Sequence, residues 1–177
     1  MPQRKLIQLH IGTHKTGTTS FQVVLEENRE RLREHGTYVH ISPNKPPGKP
    51  IANCTDFSHA ILRNELKTPF RLSGNPRPAG YLATLREQQK LRKGLSDSGC
   101  PNGIVSSEAL CFARTAAELR RLRLLLSPYR VRVIVVLRDE ARWRQSWEAQ
   151  LMKTAEQRGV AEQTFAPLLE SWYFDRE

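Results

Sequence analysis

The sequence predicts an α/β fold, a three-layer sandwich with a central parallel sheet, and three observations support this prediction. Short apolar runs alternate with stretches of helical periodicity along the whole chain. With 177 residues and 38% hydrophobic content, the chain is long enough to bury the core of a single domain. Its chemically suggestive segments follow predicted strands, which is where ligands bind in parallel sheets. Strands separated by helices pair in parallel through right-handed crossovers, which produces the three layers.

The beginning of the chain predicts a strand, a helix and a second strand. Residues 6–11 form a short apolar run that ends near Gly12, and residues 18–34 place apolar side chains at helical spacing. The tract 36–41 is rich in β-branched and aromatic residues, which favours a strand. Gly36 can end the preceding helix.

Residues 42–80 are predicted to be an irregular, proline-rich insertion. They hold seven of the eleven prolines in the chain, and proline interrupts regular structure. We expect a long surface excursion with a short helix near residues 57–66. A loop of this length is often functional, but a mobile insertion without chemistry fits the sequence equally well.

The second half of the chain returns to alternating helices and strands. Residues 131–137 are its most strand-like segment, because branched apolar residues follow one another there. The full set is predicted as helices at 81–95, 116–126, 141–158 and within 162–173, and strands at 103–107 and 131–137. We therefore expect residues 1–177 to form one domain.

The chain is strongly basic, with 28 Lys and Arg against 18 Asp and Glu, a formal charge of +10. Its field favours anionic ligands such as nucleotides, nucleic acid or acidic polysaccharides, and charge alone does not choose among them. Many of the cations lie within residues 114–132. There they fit either a solvated face or a docking face for an acidic acceptor.

The cysteines and the apolar runs indicate a cytoplasmic protein. Cys54, Cys100 and Cys111 are odd in number and include no C-x-x-C pair, so neither a disulfide framework nor a zinc site is predicted. No apolar run approaches the roughly 20 residues of a membrane span. We expect reduced thiols, no bound metal and no membrane span.

The loop after the first predicted strand has the G-x-x-x-x-G spacing of a phosphate-binding loop, with Gly12 and Gly17 at its ends. Backbone N–H groups and the following helix N-terminus would face an oxyanion there. The lysine is Lys15, however, and Thr18 occupies the position where nucleotide triphosphatases keep lysine. This difference argues against ordinary ATP or GTP hydrolysis.

The run L-H-I-G-T-H-K-T-G-T-T-S resembles the 5′-phosphosulfate loop of the sulfotransferase family, especially its bacterial members. The resemblance implies a P-loop-like nucleotide-binding fold and 3′-phosphoadenosine 5′-phosphosulfate (PAPS) as the sulfuryl donor. It also implies that Lys15 neutralises the leaving phosphate. The residues implied to hold the 5′-phosphosulfate are Gly12, Thr13, Lys15, Thr16, Gly17, Thr18, Thr19 and Ser20.

A second motif of this family is an apolar strand followed by arginine and, eight residues later, by serine. Arg138 and Ser146 reproduce this spacing after the run 133–137. The resemblance implies that both bind the 3′-phosphate of the nucleotide, which suits the planar set of donors in a guanidinium. Alone, an arginine in this position would usually be a surface residue.

An acceptor hydroxyl must lose its proton during transfer, so a base is expected within hydrogen-bond reach of it. Glu108 is the first candidate, because Ser106-Ser107-Glu108 is similar to an S-S-E segment in bacterial relatives. A carboxylate that stabilises a helix N-terminus is the alternative role for Glu108. Histidine is the base in other branches of the family, so His14 is the second candidate.

The resemblance covers residues 5–34, 103–112 and 131–150, and the family usually continues beyond the point where this chain stops. We therefore expect a domain that is incomplete at its C-terminus, with nucleotide binding as a safer expectation than turnover. The acceptor, implied to be a small molecule, lipid or carbohydrate with a hydroxyl or amine, is not identified by the sequence. Two alternatives are a P-loop nucleotide kinase or triphosphatase and a non-catalytic basic module that binds nucleotides or nucleic acid.

Overall fold

In a computed structural model of the chain, the described residues are 4–42, 51–66, 68, 71 and 78–158. Four strands in this part of the chain form one sheet in the order β2-β3-β1-β4, and every neighbouring pair is parallel. The strands are β1 (Leu6–His10), β2 (Thr37–Val39), β3 (Asn102–Ser106) and β4 (Arg130–Ile134).

Six α-helices connect and follow these strands in the described residues. A short 3₁₀ helix, Glu108–Phe112, follows β3 directly. The α-helices are α1 (Thr18–Glu27), α2 (Arg29–Glu34), α3 (Thr55–Ile61), α4 (Tyr81–Asp97), α5 (Ala116–Leu126) and α6 (Glu140–Arg158).

Apolar side chains pack on both faces of the sheet. On one face Ile7 and Val105 belong to the main core, which includes Phe57 of α3, Leu91 of α4 and residues of α5. On the other face Ile104 packs with Val39 and with Leu25 of α1. Because successive residues of a strand point to opposite faces, α1 and α3–α5 lie on opposite sides of the sheet. The predicted α/β class, with a parallel sheet flanked by helices, is confirmed.

The sheet has a topological switch point between its neighbouring strands β1 and β3. From β1 the chain passes over one face through α1 and α2 to β2, whereas from β3 it passes over the other face through α5 to β4. The two connections therefore separate beyond the carboxyl ends of β1 and β3. Ligands of open α/β sheets commonly bind at such points.

The single helix predicted at residues 18–34 is wrong, since α1 ends at Glu27 and α2 begins at Arg29. Asn28 lies between them with φ −102° and ψ 16°, outside helical geometry. Its side-chain Nδ2 donates to the carbonyl oxygen of Val24 at 2.9 Å. The backbone N–H of Asn28 donates to the same oxygen at 3.1 Å, so the hydrogen bonding continues across the break in dihedral angles. A periodicity of apolar residues does not reveal such a break.

The strand predicted at residues 131–137 is also wrong in its bounds, because β4 ends at Ile134. Its partner β1 ends at His10, and the last bond of the ladder runs from Ile11 N to Ile134 O at 2.9 Å. Beyond this point the segment that follows β1 turns into the loop at Gly12, so β4 has no neighbour among the described residues with which to continue the ladder. Val131 and Val133 are 41% and 53% exposed, although their register partners in β1 are fully buried.

Part of the stretch 42–80 does not lie on the surface as predicted. Residues 52–62 are all buried, and Phe57 and Ile61 of α3 belong to the main core. The helix also ends at Ile61, because Leu62 is extended with φ −65° and ψ 141°. Most of the prolines of the stretch lie outside the described residues, as does the helix predicted within 162–173.

The carboxylate of Glu118 joins two distant segments of the fold. It is fully buried and accepts hydrogen bonds from the backbone N–H groups of Arg63, Arg114 and Thr115 at 2.8–2.9 Å. Burial alone would raise the pKa of Glu118, but these backbone bonds and the Thr115 hydroxyl lower it from 4.5 to about 2. A carboxylate held ionised in this way stabilises the fold.

Candidate active site

The loop that follows β1 is shaped by two glycines with different requirements. A Cβ on Gly12 would lie 2.6 Å from Thr18 Cγ2 and 3.1 Å from His10 Nε2, so only glycine fits between them. Gly17 has φ +83°, and a Cβ there would meet no atom within 4 Å. Its requirement is therefore conformational, because L side chains disfavour positive φ.

The loop also holds Lys15 in the left-handed region, with φ +66°. Such a backbone costs roughly 1 to 3 kcal/mol for a residue other than glycine and occurs often at functional sites. Thr16 Oγ1 donates to Thr13 O at 2.6 Å and closes the turn around this residue. The turn directs the chain into α1.

The first turn of α1 presents its backbone N–H groups beyond the end of the sheet. Gly17 occupies the N-cap position and has no side chain to cap the helix. The first turn, Thr18-Thr19-Ser20, carries no acidic residue, and the next helical bond runs from Phe21 N to Gly17 O. An uncapped helix N-terminus of this kind attracts an anion by its N–H groups and its dipole.

Glu108 meets this turn across the switch point. It is the first residue of the 3₁₀ helix after β3, and its side chain is buried. Thr18 Oγ1 donates to Glu108 Oε2 at 2.5 Å, so the carboxylate is in direct contact with the first residue of α1. The backbone also joins the two segments, since Ser107 N donates to His10 O at 2.9 Å. The structure thus brings together the two segments that the sequence predicted would meet.

A buried polar network lies beneath the loop, and sequence reasoning did not identify it. His10 Nδ1 lies 2.9 Å from Ser106 Oγ, and Gln22 Nε2 donates to the same hydroxyl at 3.2 Å. Burial lowers the pKa of His10, and the charge of Glu108 partly opposes this shift. The imidazole is therefore held neutral near the carboxylate. In the sequence, this network is indicated by the polar residues at the ends of β1 and β3.

The His14 side chain packs against two aromatic rings. Its ring stacks on Phe112 with centroids 5.1 Å apart and meets Trp147 edge-on at 5.6 Å. Cys111 Sγ lies 3.8 Å from His14 Nδ1. Trp143 Nε1 donates to His14 O at 2.7 Å, which attaches α6 to the loop. The two tryptophans are four residues apart, and this spacing indicates in the sequence that they lie on the same face of a helix.

The conformation of Lys15 is supported from two sides. Its Nζ donates to Gln150 Oε1 at 3.3 Å, and its carbonyl oxygen accepts a bond from Arg138 Nη1 at 3.0 Å. Arg138 therefore lies beside the loop, as the sequence predicted. Asp139 caps the N-terminus of α6, since its Oδ1 accepts a bond from Arg142 N at 3.1 Å. This cap accounts for the acidic residue next to Arg138.

Ser146 lies on α6, partly buried, one residue before Trp147. The bonds from Trp143 and Arg138 to the loop place this helix beside the loop. Thr13 and Thr16 lie in the turn itself, whereas Thr19 and Ser20 are exposed on the first turn of α1. The loop residues and Arg138 therefore lie at one edge of the sheet, and Ser146 lies on the helix beside them.

Comparisons of this chain with models of protein families, with curated proteins and with solved structures find no match. In the described part of the chain, no helix is long and apolar enough to cross a membrane. The same residues contain no cluster of three or more His, Cys, Asp or Glu side chains arranged to hold a metal ion.

Proposed function

We propose that the chain is a sulfotransferase with a P-loop-like fold, which binds PAPS and transfers its sulfuryl group to a hydroxyl or amine acceptor. The observation that carries this proposal is the contact between Thr18 and Glu108. This hydrogen bond joins the uncapped N-terminus of α1 to a buried carboxylate at the switch point of a parallel sheet. These are the two groups that sulfuryl transfer needs, a cradle for the donor and a base for the acceptor.

The donor's 5′-phosphosulfate would bind at the backbone N–H groups of residues 16–20. Sulfuryl transfer resembles phosphoryl transfer, where alignment and electrostatic stabilisation provide most of the catalysis. Lys15 is suited to neutralise the leaving phosphate, because it belongs to the turn and reaches Gln150 only through a 3.3 Å bond. Its positive φ supports a functional role, since glycine at this position would avoid the strain.

Glu108 would accept the proton of the acceptor hydroxyl. The bond from Thr18 fixes one carboxylate oxygen, and the burial of the side chain excludes bulk water around it. His14, the second candidate, is partly exposed, but its ring already packs against Phe112 and Trp147 and lies 3.8 Å from Cys111 Sγ. This packing favours Glu108 as the base and leaves His14 to position the loop.

Arg138 and Ser146 would bind the 3′-phosphate. Arg138 Nη1 donates to Lys15 O, so its guanidinium lies beside the loop, where it would meet a second phosphate of the same nucleotide. A guanidinium has several N–H donors and can bind phosphate while it keeps this contact. This second anion site would separate PAPS from ATP and ADP, which lack a 3′-phosphate.

Thermal unfolding of the protein with three ligands tests the proposal. A ligand that binds only the native state stabilises it by about 2.7 kcal/mol at a hundred times its Kd. We expect adenosine 3′,5′-bisphosphate to raise the unfolding temperature more than ATP or a mixed-sequence oligonucleotide at equal concentration. A larger shift with ATP would favour a kinase-like protein, and a larger shift with the oligonucleotide would favour a nucleic-acid-binding module. Either result would contradict the proposal.

A further inference from the structure

The three cysteines of the chain occupy different environments. Cys54 is fully buried on the main core, its Sγ donates to His40 O at 3.3 Å, and burial raises the pKa of its thiol to about 12. Cys100 is also buried, with 2% of its surface exposed. Cys111 lies in the 3₁₀ helix, is partly exposed and is not part of a disulfide. A reagent in solution can therefore reach Cys111 most easily.

Cys111 also has a basic neighbour. Its Sγ lies 3.8 Å from His14 Nδ1, within the range of a hydrogen bond to sulfur. The ring is held in place on Phe112 and Trp147, and Trp143 Nε1 holds the backbone of the same residue. An imidazole fixed beside a thiol can take its proton and stabilise the thiolate, which is the reactive form of cysteine.

We propose that Cys111 is a modification site, a thiol that His14 activates for oxidation by peroxides. The proton of the thiol passes to the imidazole, and the thiolate sulfur attacks one oxygen of hydrogen peroxide. The S–O bond forms as the O–O bond breaks, and the departing hydroxide takes a proton from the imidazolium to become water. The sulfur is oxidised to sulfenic acid and the peroxide is reduced.

Oxidation of Cys111 acts on the anion-binding loop through His14. The added oxygen occupies space between the sulfur and an imidazole that already packs against two aromatic rings. His14 must shift, and the shift moves the adjoining Lys15, whose conformation is closely supported. Oxidation therefore weakens nucleotide binding, and this second consequence rests on the function proposed above.

Mapping of sulfenic acid in the full chain tests the modification site. The protein is treated with limiting hydrogen peroxide, trapped with dimedone and analysed by mass spectrometry of each cysteine peptide. We expect labelling of Cys111 to exceed that of Cys54 and Cys100 by about tenfold or more. Equal labelling of the three thiols in the native protein would overturn the proposal, whatever the behaviour of any variant.

The role of His14 is tested with His14→Gln, which preserves a polar side chain without basicity. We expect labelling of Cys111 to fall about tenfold, because the thiol loses its proton acceptor and less of it is converted to thiolate. His35→Gln is the matched control, since His35 is exposed on another part of the surface. Unchanged labelling in His14→Gln would remove His14 from the reaction. A rise in labelling of Cys54 and Cys100 in His14→Gln would show that the variant is unfolded. The modification site is then judged from the labelling of the three cysteines in the unmutated protein.

The consequence for the loop is measured with adenosine 3′,5′-bisphosphate before and after oxidation, with Cys111→Ser as the control. We expect oxidation to weaken binding about tenfold in the native sequence and to leave Cys111→Ser unaffected. Equal binding before and after oxidation would overturn the connection to the loop. Absence of binding by the untreated protein would instead contradict the proposed function, and the preferential oxidation of Cys111 would stand.

Discussion

The hydroxyl of Thr18 donates a hydrogen bond to Glu108 Oε2 at 2.5 Å, between residues that are 90 positions apart in the chain. Thr18 is the first residue of α1, and Glu108 is the first residue of the 3₁₀ helix after β3. The bond therefore joins the two chain segments that leave neighbouring strands in opposite directions. It holds a carboxylate against the turn that would bind the donor, and the first prediction follows from this contact.

We expect Glu108→Gln to keep nucleotide binding and to reduce sulfuryl transfer about a hundredfold. The amide preserves the shape of the side chain and still accepts the bond from Thr18, but it is no longer basic. Binding is measured by calorimetry with adenosine 3′,5′-bisphosphate, and transfer with labelled PAPS and a panel of hydroxyl and amine acceptors.

His14→Gln is the comparison for this prediction, because His14 is the second candidate for the base. Loss of turnover in His14→Gln with normal turnover in Glu108→Gln would reverse the two roles. Loss of nucleotide binding in Glu108→Gln would instead show that the carboxylate supports the turn through Thr18 rather than acting as a base.

We expect Lys15→Ala to lower sulfuryl transfer by about a hundredfold or more, the effect of removing one preorganised donor that stabilises charge. Lys15→Gly should do the same, although it relieves the positive φ and so increases stability. Lys153→Ala, an exposed lysine of α6, is the control for the loss of a positive charge. Near-normal transfer by both Lys15 variants would exclude this lysine from the mechanism.

Periodicity and motif spacing predicted the sheet and the position of the loop, because both depend on local sequence. The distances that define the site depend on contacts between distant segments. The pairing of Cys111 with His14 is set by the packing of the 3₁₀ helix against the loop, and no local pattern marks it. The end of β4 likewise depends on where β1 turns at Gly12, which a continuous apolar run does not reveal.

We expect Gly17→Ala to lose stability and nucleotide binding together. The cost comes from the positive φ and not from a clash, because a Cβ there would have open space around it. Gly99→Ala is a matched control, since Gly99 also has positive φ, +67°, and open space at its Cβ, but lies outside the loop. Both variants should lose about 1 kcal/mol of stability by urea unfolding. Only Gly17→Ala should bind the nucleotide more weakly, and equal binding by the two variants would contradict the assignment of the turn.

We expect Glu118 to make the stability of the protein depend on pH. Because the folded state lowers the pKa of Glu118 from 4.5 to about 2, its contribution is complete above pH 4.5 and is lost as the pH falls toward 2. A shift of this size corresponds to about 3 kcal/mol. Urea unfolding should show a much lower free energy of unfolding for Glu118→Gln than for the unmutated protein at pH 7, and this difference should narrow below pH 4.5. Glu27→Gln, which changes an exposed carboxylate, is the control. A difference that is the same at every pH would contradict this role for the charge.

The last prediction concerns the 3′-phosphate, which distinguishes PAPS from the more abundant ATP and ADP. Arg138 lies beside the loop through its bond to Lys15 O, so a nucleotide with phosphates at both 3′ and 5′ positions would engage two anion sites and ADP only one. A charge-assisted hydrogen bond contributes about 1.5 to 3 kcal/mol, equivalent to roughly tenfold to a hundredfold in affinity. We expect adenosine 3′,5′-bisphosphate to bind at least about tenfold more tightly than ADP.

Calorimetric titration of the unmutated protein and Arg138→Ala with both nucleotides provides the four constants needed. Arg138→Ala should remove most of the preference for the bisphosphate, because the loop that binds the shared 5′-phosphate remains. Arg142→Ala, which removes an exposed arginine of α6, should retain the preference and so exclude a general effect of charge. Arg138→Lys tests geometry, since an ammonium keeps the charge but lacks the planar donors of a guanidinium. Equal affinity of the unmutated protein for the two nucleotides would contradict the assignment of PAPS and favour a kinase-like protein.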